Sequence, residues 1–313
     1  MSKVKEYISK NAFIWPVVGS VLLYIAITIV TGKFNLAVLV SASKLCTFAL
    51  LLALGQMVVV TSGNGAIDLS QKYILTLTAY VASAAMRGNV IVGLIAAIAV
   101  GALCGLISSC INLYLNVPAM ITTLATGYLF YTVILVVSAK WPSAPVSSFV
   151  KFVNGSVLGL NNMTIVCILV AVVLWFLLYR TKYGMNLHAV GQKREAARLA
   201  GINVNKTVIT AFVIDGALCG LAGALCGAFC GGANQDLGTT YFLPSVAAAF
   251  VGGTNAAGGK SSVVGVSVGA LMMTLMSTFL NAAKLDVGYQ RLIQGAFLVF
   301  LLVLAVSDAA KKK

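Results

Sequence analysis

The chain has 313 residues, of which 60% are hydrophobic and only 9% are charged, and its mean hydropathy is +1.00. This composition cannot supply the polar surface of a soluble globular protein, so it predicts an integral membrane protein. The net charge of +14 would suit nucleic acid, but the basic residues cluster between apolar runs, around 3–10, 180–206 and 311–313. That distribution is typical of an orientation signal, and we expect no nucleic-acid partner.

Apolar runs long enough to cross a lipid membrane recur along the whole chain. They predict an all-α integral membrane protein with a single transmembrane domain over 1–313 and about ten helices, some short or discontinuous. The charge distribution places both termini in the cytoplasm, with a tail at 1–11 and a long cytoplasmic loop at 180–206. The predicted spans are 12–31, 44–62, 70–86, 89–111, 118–138, 161–179, 207–230, 242–256, 262–282 and 292–307.

Glycines four residues apart recur within the predicted spans and predict faces on which helix backbones approach closely. They include Gly101 with Gly105, Gly216 with Gly220, and Gly265 with Gly269. The hexapeptide GALCGL occurs at 101–106 and at 216–221, in the fourth and seventh spans. Those spans do not correspond in a five-plus-five repeat, so we interpret the match as shared packing composition.

The seven cysteines fall almost entirely within apolar runs. Cys219, Cys226 and Cys230 share one helical face, which raises the possibility of a metal site. Unpaired cysteines in apolar helices are far more often small packing residues. The odd number and the absence of C-x-x-C pairs argue against a disulfide framework. We therefore predict no metal ligands and no cofactor.

The stretch AAAFVGGTNAAGGKSSVVG at 247–265 ends its glycine run in Gly259-Lys260-Ser261, the letters that close a phosphate-binding loop. That loop requires G-x-x-x-x-G-K-[ST], because four intervening residues let backbone N–H groups surround the phosphate oxygens. Here Thr254 occupies the position of the first glycine, and both flanks are apolar. We predict no nucleotide site and no catalytic residue.

A polar interruption, TSGNGAIDLSQK at 61–72, separates two apolar runs and contains Asn64, Asp68 and Ser70. Ionisable side chains and irregular backbone are tolerated at membrane depth only where they face protein or a water-filled cavity. These three residues, with Asp215 of the seventh span, are therefore candidates for lining a translocation pathway. The alternative is an ordinary inner loop in which Asp68 caps the following helix. Both interpretations stay open.

The long inner loop contains QKREAARLAG, at 192–201, which has the composition of a short surface helix. One interpretation is a solvated, positively charged loop, and the other is a helix that docks into a cytoplasmic partner. A docking helix needs small residues where it enters a groove and charges at the rim. Ala196 and Ala197, flanked by Arg194, Glu195 and Arg198, offer that arrangement.

Three stretches in order resemble the ribose and related monosaccharide permeases, the membrane subunits of ATP-binding-cassette (ABC) sugar importers. They are ALGQMVVVTSGNGAIDLS (53–70), AVGQKREAARLAGINV (189–204) and AAAFVGGTNAAGGKSSVVGVSVGALM (247–272). The second resembles the family's coupling segment to the ATPase, and this resemblance implies contacts from Gly191, Arg194, Glu195, Ala196, Ala197, Arg198 and Gly201.

The resemblance implies a small sugar or sugar-like solute as substrate and a multi-pass location in the bacterial inner membrane. It also implies three kinds of partner: a second permease chain, identical or homologous, two ABC ATPase subunits, and an extracytoplasmic substrate-binding protein. ATP would be hydrolysed on the ATPase subunits, so this chain would not itself be an enzyme.

Five residues depart from the family pattern, namely Ala66, Gln71, Lys72, Asp215 and Ser261. They leave the solute open, and nucleosides are an alternative to sugars. The competing class is a secondary transporter driven by an ion gradient, in which Asp68 and Asp215 would be proton or cation sites. Nothing resembles a selectivity ring, which argues against a channel.

Overall fold

A computed structural model describes residues 13–32, 34, 36–157 and 159–310, and nearly all its regular structure is helical. The predicted tail at 1–11 and the basic cluster at 311–313 lie outside this part of the chain. The helices are α1 Ile14–Thr31, α2 Leu36–Thr61, α3 Gln71–Ala85, α4 Val90–Tyr114, α5 Ala119–Ser138, α6 Ser147–Asn154, α7 Asn162–Arg180, α8 Lys182–Gln192, α9 Arg194–Leu199, α10 Val204–Phe229, α11 Thr239–Val251, α12 Val263–Ala282 and α13 Val287–Ala310.

Seven of the described helices are long and apolar enough to cross a membrane, namely α1, α2, α4, α5, α7, α10 and α12. The predicted third, eighth and tenth spans correspond to α3, α11 and α13. Of these, α3 has 15 residues and α11 has 13. A 13-residue helix is only about 20 Å long, against about 30 Å of hydrocarbon in a bilayer. The all-α membrane architecture is confirmed, and the count of ten spans stays a prediction.

The predicted boundaries differ from the structure mainly where the chain is interrupted. The second helix begins at Leu36, eight residues before the predicted start at 44. The predicted eighth span, which corresponds to α11, ends at Val251 rather than at 256. Gly253 adopts a φ of 88° and ends the helix within a run of small and apolar residues. The outer loop at 139–160 contains α6 and a small antiparallel hairpin, β1 Ser156–Val157 and β2 Leu160–Asn161, neither of which was predicted.

The glycine faces predicted from the four-residue spacing are confirmed between α4 and α10. A Cβ atom on Gly101 would meet the carbonyl oxygen of Gly216, and a Cβ on Gly216 would meet that of Gly101. In the same way, Gly105 lies against the backbone of Phe212, and Gly220 against that of Ala97. The two GALCGL copies therefore pack directly on each other, which explains their shared composition.

The core is built around α2, α3 and α10, whose side chains are largely buried. Helices α1, α4 and α7 bury only narrow strips and expose large apolar side chains such as Ile29, Ile95 and Val173. Such surfaces suit a lipid environment. The polar interruption at 61–72 thus leads from the end of α2 into the centre of the protein.

Candidate functional site

The segment 62–70, which joins α2 to α3, turns back into the protein interior. Helix α2 ends at Thr61, yet Gln71 lies beside the middle of α2, where its side-chain Nε2 donates to the carbonyl oxygen of Leu52 at 3.0 Å. Leu52 lies nine residues before Thr61, which is about 13 Å along a helix axis. The segment is therefore non-helical backbone at depth, and only its first residues lie at the end of α2.

Two polar side chains satisfy the backbone of this irregular segment. Thr123 Oγ1 accepts from Leu69 N at 3.0 Å and donates to Ile67 O at 3.2 Å. With its amide oriented to satisfy both groups, Gln56 accepts from Asp68 N at 3.1 Å through its side-chain oxygen and donates to Asp68 O at 3.3 Å. Backbone groups away from water must find such partners within the protein. Sequence reasoning missed Gln56 and Thr123, which no local pattern marks.

Asp68 and Asp215 meet in the interior, both with no exposed surface. Asp68 Oδ1 accepts from Ser70 N at 2.7 Å and from Ser70 Oγ at 2.6 Å. Asp215 Oδ1 accepts from Gln71 Nε2 at 2.6 Å. The two carboxyl groups lie close enough to interact, and neither Oδ2 atom has a hydrogen-bond partner. A hydrogen bond between them would require a proton, because an ionised carboxylate only accepts.

Gly55 of α2 makes room for the Asp215 side chain. A Cβ atom at position 55 would collide with Asp215 Oδ1. The thiol of Cys219, one turn further along α10, donates to the same oxygen at 3.9 Å. Asp215 departs from the family pattern, but it lies in a place shaped to hold a carboxyl group. Among the predicted pathway residues, Asp68, Ser70 and Asp215 are brought together in this cluster.

Asn64, the fourth pathway candidate, lies elsewhere, at the edge of a cavity of about 430 Å³. Asn112, Asn116 and Arg194 line the same cavity. Arg194 Nε is buried without a partner, and burial lowers the pKa of this guanidinium below its ordinary value. Asn64, a predicted pathway residue, and Arg194, a predicted coupling residue, therefore line the same cavity.

The 180–206 loop folds into α8 and α9, and α9 has an inner and an outer side. Ala197 is 4% exposed and packs in a cluster that includes Val59 and Phe212. Ala196 faces outward with Glu195 and Arg198. Leu199, which sequence reasoning did not single out, is 91% exposed. Gly201, with a φ of 80°, follows the helix end. The two alanines expected to meet a partner together therefore point in opposite directions.

Four glycines, Gly63, Gly191, Gly258 and Gly259, form what we call the glycine junction. Gly259 N donates to Thr61 O at 3.0 Å. A Cβ on Gly191 would collide with Thr61 O and with the backbone of Gly259, and a Cβ on Gly258 would collide with Gly63. The junction thus brings the three family-like stretches together, backbone against backbone.

His188, a residue of α8, contacts the glycine junction at Gly259. Its Nδ1 lies 3.2 Å from the carbonyl oxygen of Gly259, and its ring stacks on Tyr179 at 6.2 Å between centroids. The Tyr179 hydroxyl donates to Ser261 O at 2.9 Å. The stretch Gly259-Lys260-Ser261 therefore uses its backbone groups in contacts within the protein.

Comparison with known proteins identifies the family. A model described as branched-chain amino acid transport system, permease component, matches residues 25–302. The chain belongs to this permease family. No solved structure matches it.

The permease is also similar to individual bacterial proteins. It is 31% identical over 237 residues to the D-allose transport system permease protein AlsC of Escherichia coli K12, covering 74% of this chain and 73% of the relative. It is 32% identical over 292 residues to the ribose import permease protein RbsC of the same strain, covering 91% and 90%. It is 30% identical over 214 residues to the autoinducer 2 import system permease protein LsrD of Salmonella paratyphi B, covering 65% and 63%.

The permease is therefore a multi-pass protein of the bacterial inner membrane and a subunit of an ABC importer. ATP hydrolysis lies on a separate ATPase, and the family implies an extracytoplasmic binding protein as a further partner. The resemblance drawn from the three sequence stretches is confirmed, and its two alternatives, an ion-driven secondary transporter and an ABC permease for nucleosides, are not favoured. The family description and the relatives' names differ in solute, so membership alone leaves the solute open.

Proposed function

We propose that the permease passes a small sugar or sugar-like solute into the cytoplasm after an extracytoplasmic protein delivers it. The relatives named for allose, ribose and autoinducer 2 support this class of solute. The working unit would contain two permease chains and two ATPase subunits. Residues 1–313 would form one domain of ten spans, with both termini and the 180–206 loop in the cytoplasm.

The observation that carries the proposal is the exposed tip of α9. Leu199 is 91% exposed, in a helix that also presents Glu195 and Arg198 outward. A projecting apolar side chain rimmed by charges suits insertion into a groove on the ATPase. Ala197 and Gly191 hold the base of this segment against the rest of the permease.

The glycine junction gives α9 a mechanical connection to the interior. When the ATPase subunits move α8 and α9, Gly191 presses on Thr61 and Gly259 with no side chain between them. Thr61 is the last residue of α2, and the segment 62–70 starts there. Displacement of this irregular segment would switch access between the two sides of the membrane.

The predicted pathway residues take two roles in this proposal. Asn64, beside Arg194, would lie at the cytoplasmic end of the pathway. Asp68, Ser70 and Asp215 are fully buried in contact with one another, so they would position the irregular segment rather than touch the solute.

The test uses proteoliposomes containing the permease, its ATPase and its binding protein. We expect uptake of at least one of ribose, allose and galactose, dependent on ATP and insensitive to a protonophore while ATP is maintained. Accumulation by the permease alone on an ion gradient would refute the mechanism. Uptake of a nucleoside but of none of the three sugars would show that the solutes are nucleosides rather than sugars.

A matched pair of variants tests the docking surface. Leu199→Asp should abolish co-purification of the ATPase and ATP-dependent uptake while the permease stays folded. Leu160→Asp, at a leucine that is 52% exposed on the predicted outer side, serves as the control and should change neither. If Leu199→Asp leaves both at wild-type levels, α9 is not the coupling element.

A further inference from the structure

A second cavity, of about 300 Å³, lies far from the glycine junction. Its walls come from the first turns of α3, α11 and α13 and from the last turns of α12, which contribute Ser277 and Asn281. Because α12 starts beside Ser261 at the junction and runs for 20 residues, its last turns lie about 25 Å away from it. With the 180–206 loop in the cytoplasm, this cavity lies towards the outer side.

Two cationic side chains line this cavity, Lys72 and Arg291. The ammonium group of Lys72 is held 4.7 Å from the ring centroid of Tyr73 and 5.9 Å from that of Phe242. Contacts of this kind fix the position of a cation without neutralising its charge. None of the described residues that line the cavity is acidic.

The acid closest in sequence to Arg291 has another partner. Asp286 Oδ2 accepts from the backbone N–H of Gly288 at 2.9 Å, which holds it at the start of α13. The cavity therefore has two positive charges and no counter-charge among its described lining residues. The amino-terminal ends of two helices, at Gln71 and Thr239, add to the positive potential there.

The remaining walls suit a hydroxylated solute. Gln294 Nε2 donates to Ser277 Oγ at 3.1 Å, and Gln290 Nε2 donates to Asn281 Oδ1 at 2.9 Å. These hydrogen bonds hold amide and hydroxyl groups in place at the wall. Phe242 adds an apolar face. A few fixed polar groups around an apolar surface, in a cavity of this volume, are typical of small-molecule sites.

We infer that this cavity binds an anionic, hydroxyl-rich solute, of the class of sugar acids or sugar phosphates, in preference to its neutral parent sugar. The inference rests on the proposed function and narrows its solute class. Lys72 is one of the positions at which the sequence departs from the family pattern, and a change of solute accounts for a new cation there. A half-buried lysine and an exposed arginine with no carboxylate among the described lining residues can be satisfied by an anion brought in from outside.

The experiment measures binding to the complete importer in nanodiscs of zwitterionic lipid, at millimolar concentrations. The probes are two pairs, glucuronate with glucose and ribose 5-phosphate with ribose. We expect the anionic member of at least one pair to bind at least tenfold more tightly. Lys72→Gln and Arg291→Gln should each remove that preference, and Lys72→Arg should retain it. Lys140→Gln, an exposed lysine outside the cavity, should behave as wild type.

Each result decides the inference, and monodispersity on size exclusion shows which variants fold. If Lys72→Gln does not fold, the exposed Arg291 provides the second variant. Equal binding of both members of each pair, or no binding of any anion, overturns the inference. Competition by phosphatidylglycerol, with lipid retained on native mass spectrometry, assigns the cavity to a lipid headgroup and also overturns it.

Uptake separates this inference from the proposed function. If neutral ribose is imported with ATP and Lys72→Gln does not alter the rate, the importer function stands and the anion preference fails. If glucuronate binds with the expected preference while no solute is imported, the cavity assignment stands and the import proposal fails.

Discussion

Asp68 and Asp215 place two fully buried carboxyl groups next to each other in the centre of the permease. Two ionised carboxylates in such a place would repel each other and lose their hydration, so we expect the pair to hold one proton. Asp68 belongs to the irregular segment and Asp215 to α10. A hydrogen bond through that proton would hold the segment against the central helix.

Substitution of Asp215 tests whether its interaction with Asp68 stabilises the irregular segment. Asp215→Asn should retain folding and most uptake, because a neutral amide can donate to Asp68 in place of a protonated carboxyl group. Asp215→Ala should lower the free energy of unfolding by about 1–3 kcal/mol, since it removes the expected donor to Asp68 and the acceptor that Gln71 Nε2 meets at 2.6 Å. Thermal unfolding in detergent measures the difference, and equal stability of the two variants would contradict the shared proton.

The same pair distinguishes positioning from ion transport. Asp68→Asn should reduce ATP-driven uptake only modestly, because asparagine can still accept from Ser70 N. An ion-coupled carrier would lose nearly all transport on losing this carboxyl group. Near-complete loss of uptake by Asp68→Asn, with the unfolding temperature unchanged, would therefore argue for proton carriage.

A methyl group in the glycine junction should uncouple ATP hydrolysis from uptake. In Gly191→Ala the new Cβ would collide with Thr61 O and the backbone of Gly259, so α8 would be pushed away from α2. We expect ATPase binding to persist and uptake to fall more than tenfold in proteoliposomes. Gly88→Ala is the control, because a Cβ there meets no atom within 4 Å. Wild-type uptake by Gly191→Ala would rule out the junction as the connection.

The two alanines of α9 should respond differently to the same substitution. Ala197→Trp overpacks the interior of the permease and should lower its stability by about 1–3 kcal/mol or more, seen as a lower unfolding temperature. Ala196→Trp projects outward and should leave the unfolding temperature unchanged while weakening ATPase co-purification. The reverse result would show that α9 presents its other side to the partner.

Cys230 gives a test of orientation. Its pKa is lowered to about 7 because the Cys226 thiol donates a hydrogen bond to it, an effect that outweighs its partial burial. Since the thiolate is the reactive form, labelling should be fast above pH 7 and slow below it. Cys226→Ala should move the midpoint upward.

Labelling from outside intact cells completes that test. A membrane-impermeant maleimide should reach Cys230 in intact cells if both termini are cytoplasmic, because α10 then ends on the outer side. Cys219, which is fully buried, is the internal control and should stay unlabelled. Labelling of Cys230 only in inverted membrane vesicles would reverse the orientation.

Local patterns in the sequence predicted those parts of the permease that depend on local physics. Glycines four residues apart marked the faces of α4 and α10, because that spacing places small residues on one side of a helix. The three family-like stretches were recognisable as an ordered set. Nothing local showed that Gly63, Gly191 and Gly259 meet, because their contact depends on how distant helices pack.

Other features lacked a local signal for a different reason. Gln56 and Thr123 lie within apolar helices, and only the path of the segment 62–70 makes them its hydrogen-bond partners. The end of α11 falls within a run of small and apolar residues, and only the positive φ of Gly253 in the structure shows where the helix ends. The inward turn of Ala197 depends on where α9 docks on Val59, which composition does not encode.

The contact between Gly101 and Gly216 also bears on how the permease changes shape. Each carbonyl oxygen occupies the place where the other residue would have a side chain, so α4 and α10 cannot slide along each other without backbone collisions. The two helices should move together as one rigid unit. The flexibility needed for each transport cycle must then come from segments outside this pair of helices, above all the non-helical segment 62–70 between α2 and α3.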